Sequence, residues 1–468
     1  MGPQLPERGP FVLRARILTP LASGGTRYEP DGRLAVDVRG VLTEAGPWDG
    51  EPASPRDGDP ASRRGGNPHA PGGATAPPVL DLRPLILMPG LVDLHVHLPQ
   101  LPNAGVGAGL DVLTWLERYT FPLERAFDEA AAQRLAPQAF RAFAAAGTTT
   151  AVVYGAVYRG SLDAAFRAAE AHGIRVVIGK VMMDRGSYDE TIPPERQLEA
   201  NLRDSAELCE RWHLRDDGRL RYAFTPRFAV SCSPDLLRES ASLAATAGAY
   251  WQTHLSESRP ELAEVARLFP SAVDYLDVYD RAGALGPRTI LAHAIHLSDR
   301  EVHRLAESRA SVAHCPASNL FLASGAMPLA RYREAGIRVG LGSDVSGGPE
   351  LSIFAAMRAG AFVQSARRVC EHEDTRPLGP LEWLRLGTYE GARVLGLEDE
   401  TGSLEPGKAA DLIAVDPRLV APVPGEDSHD PAEIMSRLAF RPHPDMVRAA
   451  WVRGRRLDGP PGVAELSC

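Results

Sequence analysis

The stretch MPGLVDLHVHLPQ, residues 88–100, decides how this chain is read. An apolar run that reads as a strand ends on His95 and His97, and residues at i and i+2 of a strand project to the same side. The two imidazoles therefore share one space if this run is extended. Taken alone the pair is weak evidence, because the same spacing occurs in packed or exposed strands that bind nothing. Its weight depends on what the rest of the chain sets at comparable positions.

Working outward, the runs GLVDLHVH, TTTAVVYG, RVVIGKVMMD, LRYAFTPRF, YWQTHLSE, TILAHAIHL, SVAHCPAS and RVGLGSD are strand candidates. Amphipathic stretches such as SLDAAFRAAEAHG and SPDLLRESASLAATAG separate them; the second opens on a Ser cap and both close on Gly. Eight such alternations predict an α/β chain with a (β/α)8 TIM barrel over residues 89–401. Residues 1–88 and 402–468 instead read as alternating strands and turns, as in FVLRARILTP, GRLAVDVRGVLTEAG, TGSLEPGKAADLIAVDP and VRAAWVRGRRL. Neither end alone offers enough strands to bury a core, so the two are expected to form one small composite β-sandwich beside the barrel. Residues 51–78, dense in Pro and Gly, are expected to be a mobile surface loop with His69 exposed in it.

At 468 residues and 44% hydrophobic content the chain has room for a large domain and a smaller one. A net charge of -9 without a long Lys/Arg run argues against nucleic acid or an anionic membrane as partner. The five cysteines are odd in number, scattered and without a CxxC pair, so neither a disulfide framework nor a thiolate zinc site is expected, and a reducing cytoplasm fits. No basic segment with an apolar core opens the chain, and no apolar run reaches about 18 residues, so neither a leader nor a membrane span is expected.

His254 ends the fifth strand candidate, His293 lies near the end of the sixth and Asp344 ends the eighth. These are carboxyl edges, where barrel enzymes keep their chemistry. With His95 and His97 they make four imidazoles and a carboxylate, a ligand set for one Zn²⁺, with Fe²⁺ as the alternative. Asp344 has a second reading as a helix cap in GSDVSGG. His314 ends the seventh candidate and reads as a hydrogen-bond partner of a ligand or substrate, outside the metal set. A strand would turn His296 away from His293, three residues earlier. Cys315 is followed by PAS, with no second cysteine at that spacing, which excludes the PCxxC zinc signature. His172, His213, His303, His372, His429 and His443 are expected to be exposed.

The motifs PGLVDLHVHLPQ, WLERYTFPLE, TPRFA, QTHLSES, AHCPASNLFLASG and GLGSDVSGG occur in that order, with GSLEPGKAADLIAVD near the end. Together they resemble the amidohydrolase superfamily and, within it, the guanine deaminase family. The resemblance implies that His95, His97, His254, His293 and Asp344 bind a single metal and the hydrolytic water, in an enzyme that converts guanine to xanthine and ammonia. Glu257, three residues beyond His254 at the strand's mouth, is the acid/base candidate beside Asp344, its other reading being a surface helix cap. By resemblance Gln100, Arg227 and Phe228 contact the purine together with His254, Glu257 and Asp344. Gln100 and Arg227 are expected to supply donors and Phe228 a stacking face, although Arg227 also reads as a rim ion pair and Phe228 as core. A similar GKV in the family has no metal role, so Lys180 is not expected to bridge two metals. The resemblance further implies a homodimer. Two stretches depart from the pattern, LPNAGVGAG after Gln100 and GGPELS after Asp344. They keep 8-oxoguanine, pterin, an aminotriazine or a cyclic amide as rival substrates, and an inactive barrel scaffold as the non-enzymatic alternative.

Overall fold

The computed structural model describes residues 5–50, 77–425 and 427–462; most of the expected loop at 51–78, with His69, lies outside them, as does Cys468. Strands β1 (Phe11–Pro20), β2 (Thr26–Val36), β3 (Leu42–Pro47) and β4 (Val79–Pro89) come first. The barrel follows in β5 (Leu91–His97), β6 (Thr148–Tyr154), β7 (Arg175–Gly179), β8 (Val181–Met182), β9 (Leu220–Pro226), β10 (Tyr250–Leu255), β11 (Thr289–His293), β12 (Ser311–His314) and β13 (Arg338–Leu341). The chain closes with β14 (Leu412–Val415), β15 (Val447–Val452) and β16 (Arg455–Arg456).

All of the strand candidates form, in the parallel order β13-β12-β11-β10-β9-β7-β6-β5. Backbone bonds from Asp344 N to His95 O (2.7 Å) and from His97 N to Val345 O (3.0 Å) draw the open seam together at the carboxyl edge. Strands such as β5 and β6 are buried along their whole length, which explains their unbroken apolar runs: helices cover the outside and side chains fill the inside. The helix Pro234–Ala247 starts on Ser233, whose side chain accepts from Leu236 N, and stops on left-handed Gly248; Arg159–His172 stops on Gly173 in the same way. The third candidate divides at Lys180 into β7 and β8. Its ammonium donates to Asn201 Oδ1 (2.8 Å) on the outer helix Gln197–Trp212, and burial pushes it down to about 8. Lys180 therefore belongs to the strand–helix layer.

Both chain ends contribute to one seven-stranded mixed sheet, β16-β15-β14-β4-β1-β2-β3, in which β1 and β4 run parallel. One face carries Phe11, Leu13, Ile17, Leu85, Leu412 and Trp451 into a core of its own; the other sets Ile86, Met88, Ile413 and Ala450 against the barrel. The expected sandwich is thus a single hydrogen-bonded sheet with a core of its own on one face, because the β1–β4 pairing joins the N-terminal strands to the C-terminal ones. A buried ion pair, Arg175 to Asp411 (2.9 Å), ties β7 to this sheet. Among the described residues no helix is long and apolar enough to cross a membrane.

Candidate active site

Asp93, His95 and His97 alternate along β5 and share its inward face. His97 Nε2 lies 3.2 Å from His95 Nε2 and 3.2 Å from His254 Nε2, while Asp344 Oδ1 lies 3.2 Å from His95 and 3.4 Å from His97. His293 Nε2 stands 3.8 Å from Asp344 Oδ2. Strand ends distant in sequence are thereby brought to one point. Two of the rings are aimed by their other nitrogen: His254 Nδ1 donates to Arg227 O (2.6 Å) and His293 Nδ1 to Asn319 Oδ1 (2.9 Å). Their Nε2 lone pairs face the cluster, and His293 Nε2 is buried without a hydrogen-bond partner. Burial holds His97 and His254 well below the ordinary imidazole range and lowers His95 despite Asp344. Burial would raise Asp344, yet His95, His293 and the Ser318 hydroxyl (2.6 Å) bring it down to about 2. Against the pull of burial, Glu257 and Asp344 raise His293 instead; three imidazoles held neutral, with a fourth beside an ionised carboxylate, form a donor set of the kind that takes a divalent ion of the zinc or iron type.

The surrounding structure holds two strained residues in this arrangement. His293 (φ 69°) and Asp344 (φ 49°) both sit in the left-handed region, at about 1–3 kcal/mol each. Asp93 spans the barrel seam, accepting from His95 N (3.2 Å), Ser343 N (3.0 Å) and Ser343 Oγ (2.5 Å). Gly342 is required beside it, since a Cβ there would come within 2.9 Å of both His95 Cβ and Cys315 Sγ.

A cavity opens over the cluster. Its apolar wall is Phe228, 8% exposed, with Val112, Trp115 and Leu322, so Phe228 is at once core and lining. Its polar wall departs from expectation. Gln100 Nε2 donates to Glu124 Oε1 (2.7 Å), and the other oxygen of Glu124 pairs with Arg227. One Gln100 amide hydrogen is thus engaged, and its Oε1 is buried without a partner, so the residue offers an acceptor to the cavity beside the donor expected of it. Arg227 is buried, not a rim residue. Glu257 faces the cluster with Oε2 3.7 Å from His293 Nε2, and burial pushes its carboxyl up to about 7. It caps no helix: Ser258 and Glu261 cap Arg259–Leu268. Asp344 caps none either, since the next helix begins at Ile353 on Ser352.

The Amidohydrolase family pattern matches residues 86–457. The chain belongs to the amidohydrolase family. Among curated relatives, the probable guanine deaminase of Deinococcus radiodurans is 39% identical to this amidohydrolase over 382 residues, 80% of this chain and 84% of that protein. The guanine deaminase of Escherichia coli K12 is 37% identical over 341 residues, covering 72% of this chain and 75% of that one. A guanine deaminase from C. acetobutylicum, solved with guanine bound in its active site, superposes with a TM-score of 0.83 at 26% identity, covering 96% of this chain and 99% of that one.

Other histidines of this amidohydrolase lie outside the cluster. His314 is fully buried, neither ring nitrogen has a hydrogen-bond partner among the described residues, and burial pushes it down to about 3, so it makes no hydrogen bond to a residue of the cluster. His296 donates to Ser324 O (2.8 Å). His172 and His213 are half-buried instead of exposed, His172 donating to Asp458 O (2.8 Å) and His213 Nδ1 accepting from Tyr222 N (3.1 Å); His303, His372, His429 and His443 are exposed. Glu124, Asp93, Ser318 and Asn319 were not singled out from sequence. Asp93 was visible, being in register with the two histidines of β5, and Glu124 ends the motif WLERYTFPLE.

Proposed function

We propose that this chain is a zinc-dependent guanine deaminase that hydrolyses guanine to xanthine and ammonia. The observation that carries the reading is the Gln100–Glu124–Arg227 wall, set across one cavity from Glu257 and over the imidazole cluster. Guanine offers N1–H and O6 side by side, and Gln100 Oε1 with the Arg227 guanidinium complements that pair as acceptor and donor. Carbon C2 then lies between N1, held by Gln100, and N3, turned to Glu257, while the Phe228 ring covers a purine face.

A divalent ion held by His95, His97, His254, His293 and Asp344 supplies Lewis acidity and lowers the pKa of a water to about 7. Asp344 takes the proton that leaves the attacking water. Glu257 protonates N3 as C2 becomes tetrahedral and is left ionised; Asp344 then gives its proton to the amine, the C2–N bond breaks to release ammonia, and the hydroxyl left on C2 returns its proton to Glu257 as it becomes the carbonyl. The water oxygen stays on C2. Zinc is proposed over iron from the imidazole-rich donor set; a cytoplasmic location rests on the scattered cysteines without a CxxC pair, and a homodimer on the family resemblance.

Steady-state ammonia release tests the reading. Guanine should be turned over, and adenine, which reverses the donor and acceptor at positions 1 and 6, should fall about 10⁴-fold below it. Turnover of 8-oxoguanine, pterin or an aminotriazine without guanine would replace the substrate. Elemental analysis should find one zinc per chain; metal-free protein that stays inert after zinc is restored would favour the scaffold. Gln100→Leu removes the acceptor for N1–H and should lower kcat/KM about 10- to 100-fold with metal content unchanged.

A further inference from the structure

Six arginines of the described residues are more than nine-tenths buried. Five have a carboxylate partner: Arg16 with Asp427, Arg33 with Glu44, Arg175 with Asp411, Arg219 with Asp216 and Arg227 with Glu124. Arg448, 7% exposed, is the sixth, and its side chain has no ion pair or hydrogen bond among the described residues. Its Nε is buried without a partner and the rest of the guanidinium is left to the cavity it lines, an arrangement that favours an anionic partner there.

Arg448 lines a cavity of about 620 Å³ between the C-terminal strands β15–β16 and the barrel helices Glu129–Ala145 and Arg159–His172. On β15 it alternates with Ala449 and Trp451, which fill the small sheet's own core, so its side chain leaves the strand on the barrel side, as those of Ala450 and Val452 do. The cavity shares no residue with the active-site cavity. Its charge is lopsided: five arginines line it against Glu7 and Asp458, in a chain whose net charge is -9. Both carboxylates are engaged at the rim, Asp458 with Arg141 (2.7 Å) and Glu7 with Arg456, and both are about two-thirds exposed. Arg455 spends one nitrogen on Ala171 O (2.6 Å). Neither acid reaches Arg448.

We propose that this cavity is a second ligand site, which takes a phosphate-bearing small molecule of nucleotide size with Arg448 at its floor. Several guanidiniums converging on one space match the geometry of a phosphate, where each can make paired hydrogen bonds. The volume lies within the range of about 300–1,000 Å³ typical of small-molecule sites, well beyond the needs of a single inorganic ion. Pro137, Ala168 and Leu457 give the remainder of the lining an apolar surface for the organic part. The ligand would bridge the small sheet and the barrel.

The test is calorimetric titration of the zinc-loaded full chain with AMP, inorganic phosphate and adenosine at constant ionic strength. AMP should bind saturably, one per chain, with phosphate weaker and adenosine without measurable binding. Phosphate binding as tightly as AMP would assign the site to the free anion. Arg448→Met should weaken AMP at least tenfold and leave guanine turnover unchanged. Should that variant fail to fold, Arg141→Ser at the exposed rim decides, with an expected loss of at least threefold. Absence of saturable AMP binding, adenosine binding as well as AMP, or binding untouched by the soluble variants would each overturn the proposal. The outcome is independent of the substrate assigned above, since binding is read without turnover.

Discussion

Glu257→Gln should lower kcat by about 10²- to 10⁴-fold while zinc content stays at that of the parent protein. The amide is the same size and keeps the hydrogen bond from Ser324 Oγ (3.4 Å) to Oε1, but it cannot carry a proton from one point of the reaction to the next. The choice of Glu257 over its neighbour Glu261 is physical, because both carboxylates are buried and both line the cavity. Glu261 accepts from Glu257 N (2.8 Å), Ser258 N (3.3 Å) and Tyr275 Oη (2.7 Å), so its lone pairs are committed to the backbone and a tyrosine. Among the described residues Glu257 has only the long hydrogen bond from Ser324, and it is pushed up to about 7 by burial, so it holds or yields a proton with little driving force in either direction. His254→Ala is the contrasting variant and should lose zinc as well as turnover. Elemental analysis and kcat on both proteins check the division: equal zinc loss would place Glu257 among the ligands and sink its role as proton carrier.

The barrel was legible because each of its strands is a short apolar run ending where a helical stretch begins, and the clustered histidines could be located by counting to the strand ends. The small sheet was legible in membership, since both chain ends alternate, but its topology was not. The parallel β1–β4 contact that makes it one sheet is a long-range pairing with no local signature. His254 and His293 could be found, whereas the groups that aim them, Arg227 O and Asn319 Oδ1, are a backbone atom and a residue without a charged side chain. Glu124 escaped for another reason. It lies in WLERYTFPLE near Glu117, which is exposed, and Arg118, and a carboxylate in such company reads as a solvated helix face. Only the fold reveals that residue 124 points inward and that Arg227, from a different strand end, meets it. The acceptor role of Gln100 follows from that meeting and from nothing in its own neighbourhood.

Glu124→Ala should therefore have two separable consequences. The first is thermodynamic. Among the described residues Glu124 is the one carboxylate paired with the buried Arg227, so removing it strands a guanidinium, which typically costs about 3–5 kcal/mol and would appear as a lower denaturation midpoint with an unchanged m-value. The second is kinetic. Without Glu124 Oε1 the Gln100 amide loses the partner that fixes its orientation and can turn its NH₂ toward the substrate's N1–H, opposing donor to donor, so kcat/KM should fall further than in Gln100→Leu. The pair Glu124→Leu with Arg227→Met separates the effects, because replacing both members of a buried ion pair by apolar groups is often neutral for stability. That double variant should recover most of the lost midpoint and none of the lost turnover. Recovery of both would mean that the ion pair serves the fold alone and that the polar wall does not select the substrate; a midpoint unmoved by Glu124→Ala would mean that Arg227 finds its counter-charge elsewhere.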